Sequence, residues 1–226
     1  MERTAKRRYI RGHFITLEGP EGSGKSTQIR YLATALRHSG YRVVQTREPG
    51  GTVVAEAIRR ILLLSSSQEP ITPVTESLLI LAARSQHVTQ VIEPALQRGA
   101  IVLCDRFSDS TFAYQGFARS LDLAWLRKAN AMATNGCSPD LTLLLDVPVN
   151  VGLSRRRKAR GKQNRLDRES ERFHRLVRKG FLKLAAQSPR RITVIDSDRP
   201  EETVRAEIEA VVLGWLRTQY RKPGAR

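Results

Sequence analysis

A short glycine-rich segment has the residue types and spacing of a phosphate-binding loop. Residues 19–27 read GPEGSGKST, which matches the pattern G-x-x-x-x-G-K-[ST]. Glycines permit a turn that points backbone N–H groups at an anion, and a following helix directs its positive end to the same place. In this pattern Lys25 reaches the β- and γ-phosphates of a nucleoside triphosphate, and Ser26 binds Mg²⁺. The candidate ATP-binding residues are Gly19, Pro20, Glu21, Gly22, Ser23, Gly24, Lys25, Ser26 and Thr27.

The segments around this loop support that interpretation. An apolar run at 14–18 precedes the loop, and a helical pattern at 25–38 follows it. Further strands are predicted at 42–46, 101–104, 141–145 and 192–195, and further helices at 53–64, 73–98, 108–116, 122–133, 148–157, 167–187 and 201–217. Pro94 should bend or divide the 73–98 helix. The alternation predicts an α/β fold of the P-loop NTP hydrolase or nucleotide-kinase type, with a doubly wound five-stranded parallel sheet and helices on both faces.

Charge and composition narrow the classes of protein. The 226 residues are enough for one domain, and the formal net charge is +17. Residues 1–12 and 221–226 hold +4 and +3, and residues 155–165 hold seven basic residues and no acidic one, so the rest is nearly neutral. No apolar run is long enough for a membrane helix, the N-terminus lacks the apolar region of a secretory signal, and two cysteines are typical of a reducing cytoplasm. We therefore expect no membrane partner and a cytoplasmic location.

Five motifs in order are similar to those of one enzyme family. They are FITLEGPEGSGKST at 14–27, TREPGGT at 46–52, LLILAARSQHV at 78–88, DRFSDSTFAYQG at 105–116 and NRLDRES at 164–170. Together they resemble thymidylate kinases, which phosphorylate dTMP to dTDP with ATP and Mg²⁺ in dTTP biosynthesis. The resemblance covers about residues 12–212. It implies ATP and dTMP as partners and a homodimer. Because the basic charge is concentrated in the two tails and one internal segment, we expect no nucleic-acid partner.

The resemblance also implies residue roles. The substrate-binding residues would be Glu21, Arg47, Pro49, Ile80, Arg84, Arg106, Ser110, Thr111 and Gln115. Asp105 and Arg106 follow a predicted strand, where a carboxylate suits the magnesium shell together with Ser26. The planar fork of Arg106 suits the dTMP phosphate. Arg84 would contact a thymine carbonyl, although a lone arginine on a helix is otherwise a solvated residue.

The basic segment resembles the lid of related kinases. Some thymidylate kinases place a catalytic arginine in the phosphate loop and others place it in the lid. Gly22 occupies that loop position here, so the chain resembles the lid-arginine class, and Arg157 and Arg160 are the candidates beside Lys25 and Arg106 as catalytic residues. We accordingly expect a basic tail at 1–12, a single kinase domain at 13–218 with a lid at about 155–166, and a basic tail at 219–226.

Two departures keep alternatives open. Many family members carry a phenylalanine that stacks on thymine at the position of Ile80, and Asn164 and Asp167 stand where D-R-I-E is common. A P-loop kinase of another nucleotide or nucleoside is therefore an alternative. A nucleic-acid-binding P-loop protein would also explain the charge, but aromatic residues make up only 6 % and do not interleave with basic ones.

Overall fold

A computed structural model describes residues 12–63, 69–158 and 164–220. Its five strands are β1 (Phe14–Glu18), β2 (Val43–Arg47), β3 (Ile101–Asp105), β4 (Leu141–Asp146) and β5 (Ile192–Asp196). They form one parallel sheet in the order β2-β3-β1-β4-β5, so β1 is central and the phosphate loop leaves the middle of the sheet. The predicted fold class is confirmed.

Helices connect these strands. They are α1 (Lys25–His38), α2 (Val53–Leu63), α3 (Pro73–His87), α4 (Glu93–Gln97), α5 (Ser108–Thr111), α6 (Leu123–Thr134), α7 (Val149–Lys158), α8 (Glu171–Gln187) and α9 (Glu201–Tyr220). A π-helical turn (Val88–Ile92) joins α3 to α4, a second π-helical segment (Phe112–Ala118) follows α5, and a 3₁₀ turn (Leu166–Arg168) precedes α8. In the described ranges, no helix combines the length and apolarity needed to cross a bilayer.

Both faces of the sheet are buried. Successive side chains of a strand point to opposite faces, and in β1 Ile15 and Leu17 pack with residues of α1 and α9. Phe14 packs on the other face with residues of α4 and the turn before it. A third apolar cluster lies between α8 and the π-helical segment. Burial on both faces explains why the central strands β1, β3 and β4 are mostly apolar along their length, whereas the edge strands β2 and β5 are partly exposed.

The boundaries differ from the predictions for local reasons. The turn at Val88–Ile92 interrupts the predicted 73–98 helix just before Pro94, whose ring lacks an N–H and would clash with a carbonyl in a regular α-helix. The helix predicted from 167 begins at Glu171, because the Ser170 hydroxyl accepts the N–H of Phe173 at 3.2 Å and caps it. The strand predicted at 42–46 is observed one residue later, as β2 (Val43–Arg47).

Candidate active site

A cavity of about 420 Å³ lies at the carboxyl ends of β1, β2 and β3, where open parallel sheets bind their ligands. Its volume is in the usual range for sites that hold a small molecule. The predicted site residues that line it are Glu21, Gly22, Gly24, Lys25, Ser26, Thr27, Arg47, Pro49, Ile80, Arg84, Asp105, Arg106, Ser110, Thr111 and Gln115. Segments that are distant in the sequence therefore meet around one space.

The phosphate loop surrounds the buried ammonium group of Lys25. Its Nζ donates to the carbonyl oxygens of Gly19 at 3.0 Å and Pro20 at 2.8 Å, and to Ser23 Oγ at 3.1 Å. These three residues do not line the cavity, but they hold the lysine that does. Burial, and then the charge of Arg106, lowers the pKa of Lys25 to about 8.

Ser26 and Asp105 form an oxygen-rich pair beside this lysine. The Ser26 hydroxyl donates to Asp105 Oδ2 at 2.5 Å, because β1 and β3 are neighbours and Leu17 is in register with Asp105. Hard oxygen donors of this kind suit Mg²⁺. The described residues contain no cluster of three or more His, Cys, Asp or Glu side chains placed for a metal ion.

Arg106 lies at the cavity wall with a backbone conformation that residues other than glycine rarely adopt. Its φ is 71°, and its Nη2 donates to Glu21 Oε1 at 2.8 Å while Nη1 donates to the Gly19 carbonyl at 3.1 Å. The Tyr114 hydroxyl donates to the same Glu21 oxygen at 3.0 Å. Although burial opposes ionisation, Arg106 and then Lys25 lower the pKa of Glu21 to about 2. The carboxylate is therefore ionised throughout the physiological range.

Glu18, which sequence reasoning did not select, supports Arg106 through Ser110, whose hydroxyl accepts from Arg106 Nη1 at 3.2 Å. Its Oε1 accepts the N–H groups of Phe107 at 2.8 Å and Ser110 at 3.2 Å, and its Oε2 accepts the Ser110 hydroxyl at 2.6 Å. Burial, and then the charge of Asp109, raises the pKa of Glu18 to about 7. An acidic residue that ends a largely apolar strand was the available signal, because such a carboxylate needs buried donors.

Arg84 lies at the opposite end of the cavity and is 1 % exposed, so the alternative of a solvated helix-face arginine is wrong. Its Nε donates to Glu48 at 2.7 Å, and its Nη1 donates to Thr111 at 2.9 Å and Asn130 at 2.8 Å. The guanidinium lies 4.9 Å from the centre of the Phe107 ring. This end of the cavity therefore presents a fixed, buried donor.

Gln115 and Ile80 complete the same end. The Gln115 Nε2 donates to Glu76 Oε1 at 2.7 Å, and Glu76 also pairs with Arg165, which lies near the end of the predicted lid. Ile80 lies one turn before Arg84 on α3 and contributes an apolar surface to the wall. This end can hold a flat, partly polar group.

A second arginine cluster borders the cavity between its two ends. Arg47 pairs with Glu56 at 2.8 Å, and Arg59 donates to the Pro49 carbonyl at 3.0 Å. Burial, and then the charge of Arg47, lowers the pKa of Arg59. Arg59 was missed because an arginine on an amphipathic helix is usually a surface residue. Together with Arg106, these guanidinium groups make this wall a site for an anion.

The lid contributes a different arginine from those predicted. Arg156 lines the cavity and pairs with Asp167 at 2.8 Å, whereas Arg157 is exposed and does not line it. Arg155 donates to the Ser197 carbonyl at 2.8 Å. Arg160 lies outside the described residues. Arg155, Arg156 and Arg157 occupy the last turn of α7, where positive charge stabilises a helix.

Other lining residues were also absent from the predicted set. They are Glu48, Arg59, Leu63, Phe107, Tyr114, Arg156, Asn164 and Leu166. The apolar and aromatic ones have the pattern of core residues, so only their three-dimensional position identifies them. Asn164 departs from the common D-R-I-E pattern, and its Oδ1 accepts the N–H groups of Leu166 and Asp167. It therefore shapes the turn at the end of the predicted lid.

Comparisons with known proteins agree on one family. A family model described as thymidylate kinase matches residues 17–208. A curated thymidylate kinase of Thermomicrobium roseum is 50 % identical over 210 residues, which are 93 % of this chain and 99 % of that protein. The thymidylate kinase of Pseudomonas entomophila is 50 % identical over 205 residues, 91 % and 97 % of the two chains. That of Geobacter sulfurreducens is 49 % identical over 207 residues, 89 % and 97 %.

Proposed function

This chain belongs to the thymidylate kinase family, and from that premise we propose that it transfers the γ-phosphoryl group of ATP to dTMP and forms dTDP. One observation carries the proposal beyond family membership. A single cavity joins a phosphate loop, a wall of arginines and a buried donor-and-acceptor end. Those three parts match a triphosphate, an acceptor phosphate and a pyrimidine base.

Phosphoryl transfer here needs no general base. The attacking atom is a phosphate oxygen of dTMP that is already ionised at pH 7, so catalysis consists of positioning and charge stabilisation. Arg106, with Arg47 and Arg59 beside it, orients the acceptor phosphate. Lys25 stabilises negative charge on the ATP side, where its depressed pKa of about 8 still leaves it mostly protonated at pH 7. Water exclusion by the lid prevents hydrolysis of ATP.

Ser26 and Asp105 are the residues that would hold Mg²⁺. Their oxygens lie in hydrogen-bond contact next to the phosphate loop, which fits a cation that prefers oxygen ligands. When bound, the ion neutralises charge on the β- and γ-phosphates. The protein's part is to keep the Asp105 carboxylate at the end of β3.

The remaining predicted residues bind the nucleoside of dTMP. Arg84 donates to a thymine carbonyl oxygen, Gln115 contacts the base edge, and Ile80 packs against the base face. Glu21, whose pKa of about 2 keeps it an acceptor, receives the 3′-hydroxyl of the sugar. Ser110 and Thr111 contribute through Arg106 and Arg84, to which their hydroxyls are bonded.

The lid supplies the arginine that the phosphate loop lacks. A side chain at Gly22 is excluded, because its Cβ would lie 2.0 Å from the carbonyl oxygen of Gly152 and its φ is +71°. We assign the transferring-group contact to Arg157 and Arg160. Support for Arg157 comes from its exposure at the end of α7, with no ion pair to any residue that the structure describes.

We further propose a homodimer and a cytoplasmic location. Exposed apolar side chains cluster on α2 and α3, which pack against each other; they are Val53, Val54, Ile61, Val74 and Leu78. Val53 is 88 % exposed, which favours cover by a second copy of the chain. Cys104 and Cys137 are buried and form no disulfide, as is usual in a reducing compartment.

A coupled assay with ATP, Mg²⁺ and a panel of dTMP, dUMP, dCMP and dGMP tests the function. We expect dTMP to have the highest kcat/KM. Lys25→Ala should lower kcat, and Arg106→Ala should lower kcat/KM for dTMP, each by at least about a hundredfold because a charge facing the transferred or accepting phosphate is lost. Arg205→Ala on the exposed side of α9 is the matched control. Near-wild-type turnover in folded Lys25→Ala, or preference for another nucleotide, would refute the assignment.

A further inference from the structure

Within the described part of the chain, one hydrogen-bonding atom of the cavity-lining residue Gln115 has no partner. The residue is 1 % exposed, and its Nε2 donates to Glu76 Oε1 at 2.7 Å. Its Oε1 is buried and accepts no hydrogen bond from the residues that the structure describes. A buried acceptor without a donor destabilises the protein. Gln115 is one of the residues that line the ligand cavity, so a ligand bound there is placed to supply the donor.

Glu76 determines the orientation of the Gln115 side-chain amide and therefore which of its two polar atoms can contact a ligand. It lies in the first turn of α3, is 1 % exposed, and faces two guanidinium groups. Arg165 Nη2 donates to its Oε2, and Arg119 Nη2 lies 3.5 Å from the same oxygen. A carboxylate offers acceptors only. If the Gln115 amide were flipped, its oxygen would face a carboxylate oxygen with no proton between them, so Nε2 is directed to Glu76 and Oε1 remains.

The other polar group at this end has the opposite character. Arg84 lines the same cavity, and a guanidinium offers donors only. The cavity therefore presents a donor from Arg84 and an acceptor from Gln115. Thymine carries the complementary pair, since its O4 accepts and its N3–H donates. Cytosine carries the reverse pair, with an acceptor at N3 and an amino group at C4.

We infer that Glu76 is a specificity-determining residue that favours thymine over cytosine by holding the Gln115 amide in one orientation. The inference rests on the proposed function and adds to it a residue that does not line the cavity. Glu76 acts through Gln115, so it is a positioning residue. Its contacts with Arg119 and Arg165 keep it a fixed acceptor.

The test compares kcat/KM for dTMP with kcat/KM for dCMP in the full-length protein. In Glu76→Gln, residue 76 can face either end of the Gln115 amide, so we expect the dTMP/dCMP ratio to fall by about tenfold, the value of one lost hydrogen-bond preference. Glu76→Asp keeps a negative charge facing Arg119 and Arg165 but withdraws the carboxylate from Gln115. It should lower the ratio in the same direction, and it provides a second variant if Glu76→Gln does not fold.

Two controls separate specificity from structure. Glu169→Gln removes the other carboxylate bonded to Arg119 without contacting Gln115, and it should keep the ratio within about twofold of wild type. In a Gln115→Ala background, Glu76→Gln should change the ratio no further, because no amide remains to be oriented. A purely structural role for Glu76 would lower the turnover of both nucleotides equally.

The outcomes are distinguishable from failure of the proposed function. Wild-type dTMP turnover with an unchanged ratio in both Glu76 variants would refute the inference alone. An equal fall of the ratio with and without Gln115 would also refute it, because Glu76 would then act by another route. Absence of dTMP turnover in the wild-type protein would refute both.

Discussion

The contact between the phosphate loop and α7 makes an unusual prediction for Gly152→Ala. Gly152 is inside a helix, where replacing glycine by alanine normally stabilises a protein by about 0.5–1 kcal/mol. Here the new Cβ would lie 2.3 Å from the carbonyl oxygen of Glu21 and 3.1 Å from Val147 Cγ1. Because ordinary contacts begin near 3.4 Å, the two backbones must separate by about 1 Å.

We expect Gly152→Ala to destabilise the protein, whereas glycine-to-alanine replacements inside helices normally stabilise it. Overpacking of this kind costs about 1–3 kcal/mol, so a net loss of about 1–2 kcal/mol remains after the gain in helix propensity. The displaced atom belongs to the phosphate loop, so the ATP site is distorted as well. A shift of about 1 Å at a reacting centre can lower a rate by about a hundredfold, and we expect kcat/KM for ATP to fall by tenfold or more.

Urea unfolding and ATP kinetics measure both effects, and the chain offers two matched controls. Gly214→Ala in α9 meets no atom within 4 Å, so it should stabilise the protein and leave the kinetics unchanged. Gly180→Ala in α8 meets the Phe117 ring at 2.8 Å, so it should destabilise the protein without affecting ATP. If Gly152→Ala is as stable as Gly214→Ala and keeps wild-type ATP kinetics, the conclusion that α7 packs too closely against the phosphate loop to accept a Cβ at residue 152 is refuted.

Three further predictions concern the charge, the lid and the assembly. The pKa of Glu18 is raised to about 7 from an ordinary 4.5, so between these pH values the folded state binds a proton that the unfolded state has released. The free energy of unfolding should therefore decline as pH rises through this window, by at most about 3 kcal/mol. Urea unfolding of Glu18→Gln at several pH values should lack this decline, and an equal decline in both proteins would contradict the assignment. Replacing both Arg157 and Arg160 by glutamine should lower kcat far more than it changes KM for dTMP, whereas steady-state kinetics with only a KM effect would limit these arginines to binding. Val53→Glu with Leu78→Glu should convert a dimer to a monomer in sedimentation experiments, and an unchanged dimer would exclude the α2–α3 surface as the interface.

Local patterns were sufficient to predict the fold class and the phosphate loop, whereas most of the other site residues were predicted from the family resemblance. The apolar run before GPEGSGKST and the helix after it follow from short-range periodicity, and both are present as β1 and α1. The residues at strand ends, such as Asp105 and Arg106, could be selected because parallel strands bring their carboxyl ends to one edge. No contact information was needed for these predictions.

The sequence by itself determined the sheet, the phosphate loop and the residue types available for catalysis, since these depend on neighbours within a few positions. Only the tertiary structure decided which side chains meet. Glu76 and Gln115 are 39 positions apart, and Glu76 and Arg165 are 89 positions apart. The orientation of the Gln115 amide and the support of Arg106 by Glu18 arise from packing between separate elements. Because these contacts are buried, their hydrogen bonds are fixed and the pKa values of the groups involved are shifted. No local sequence pattern can specify either effect.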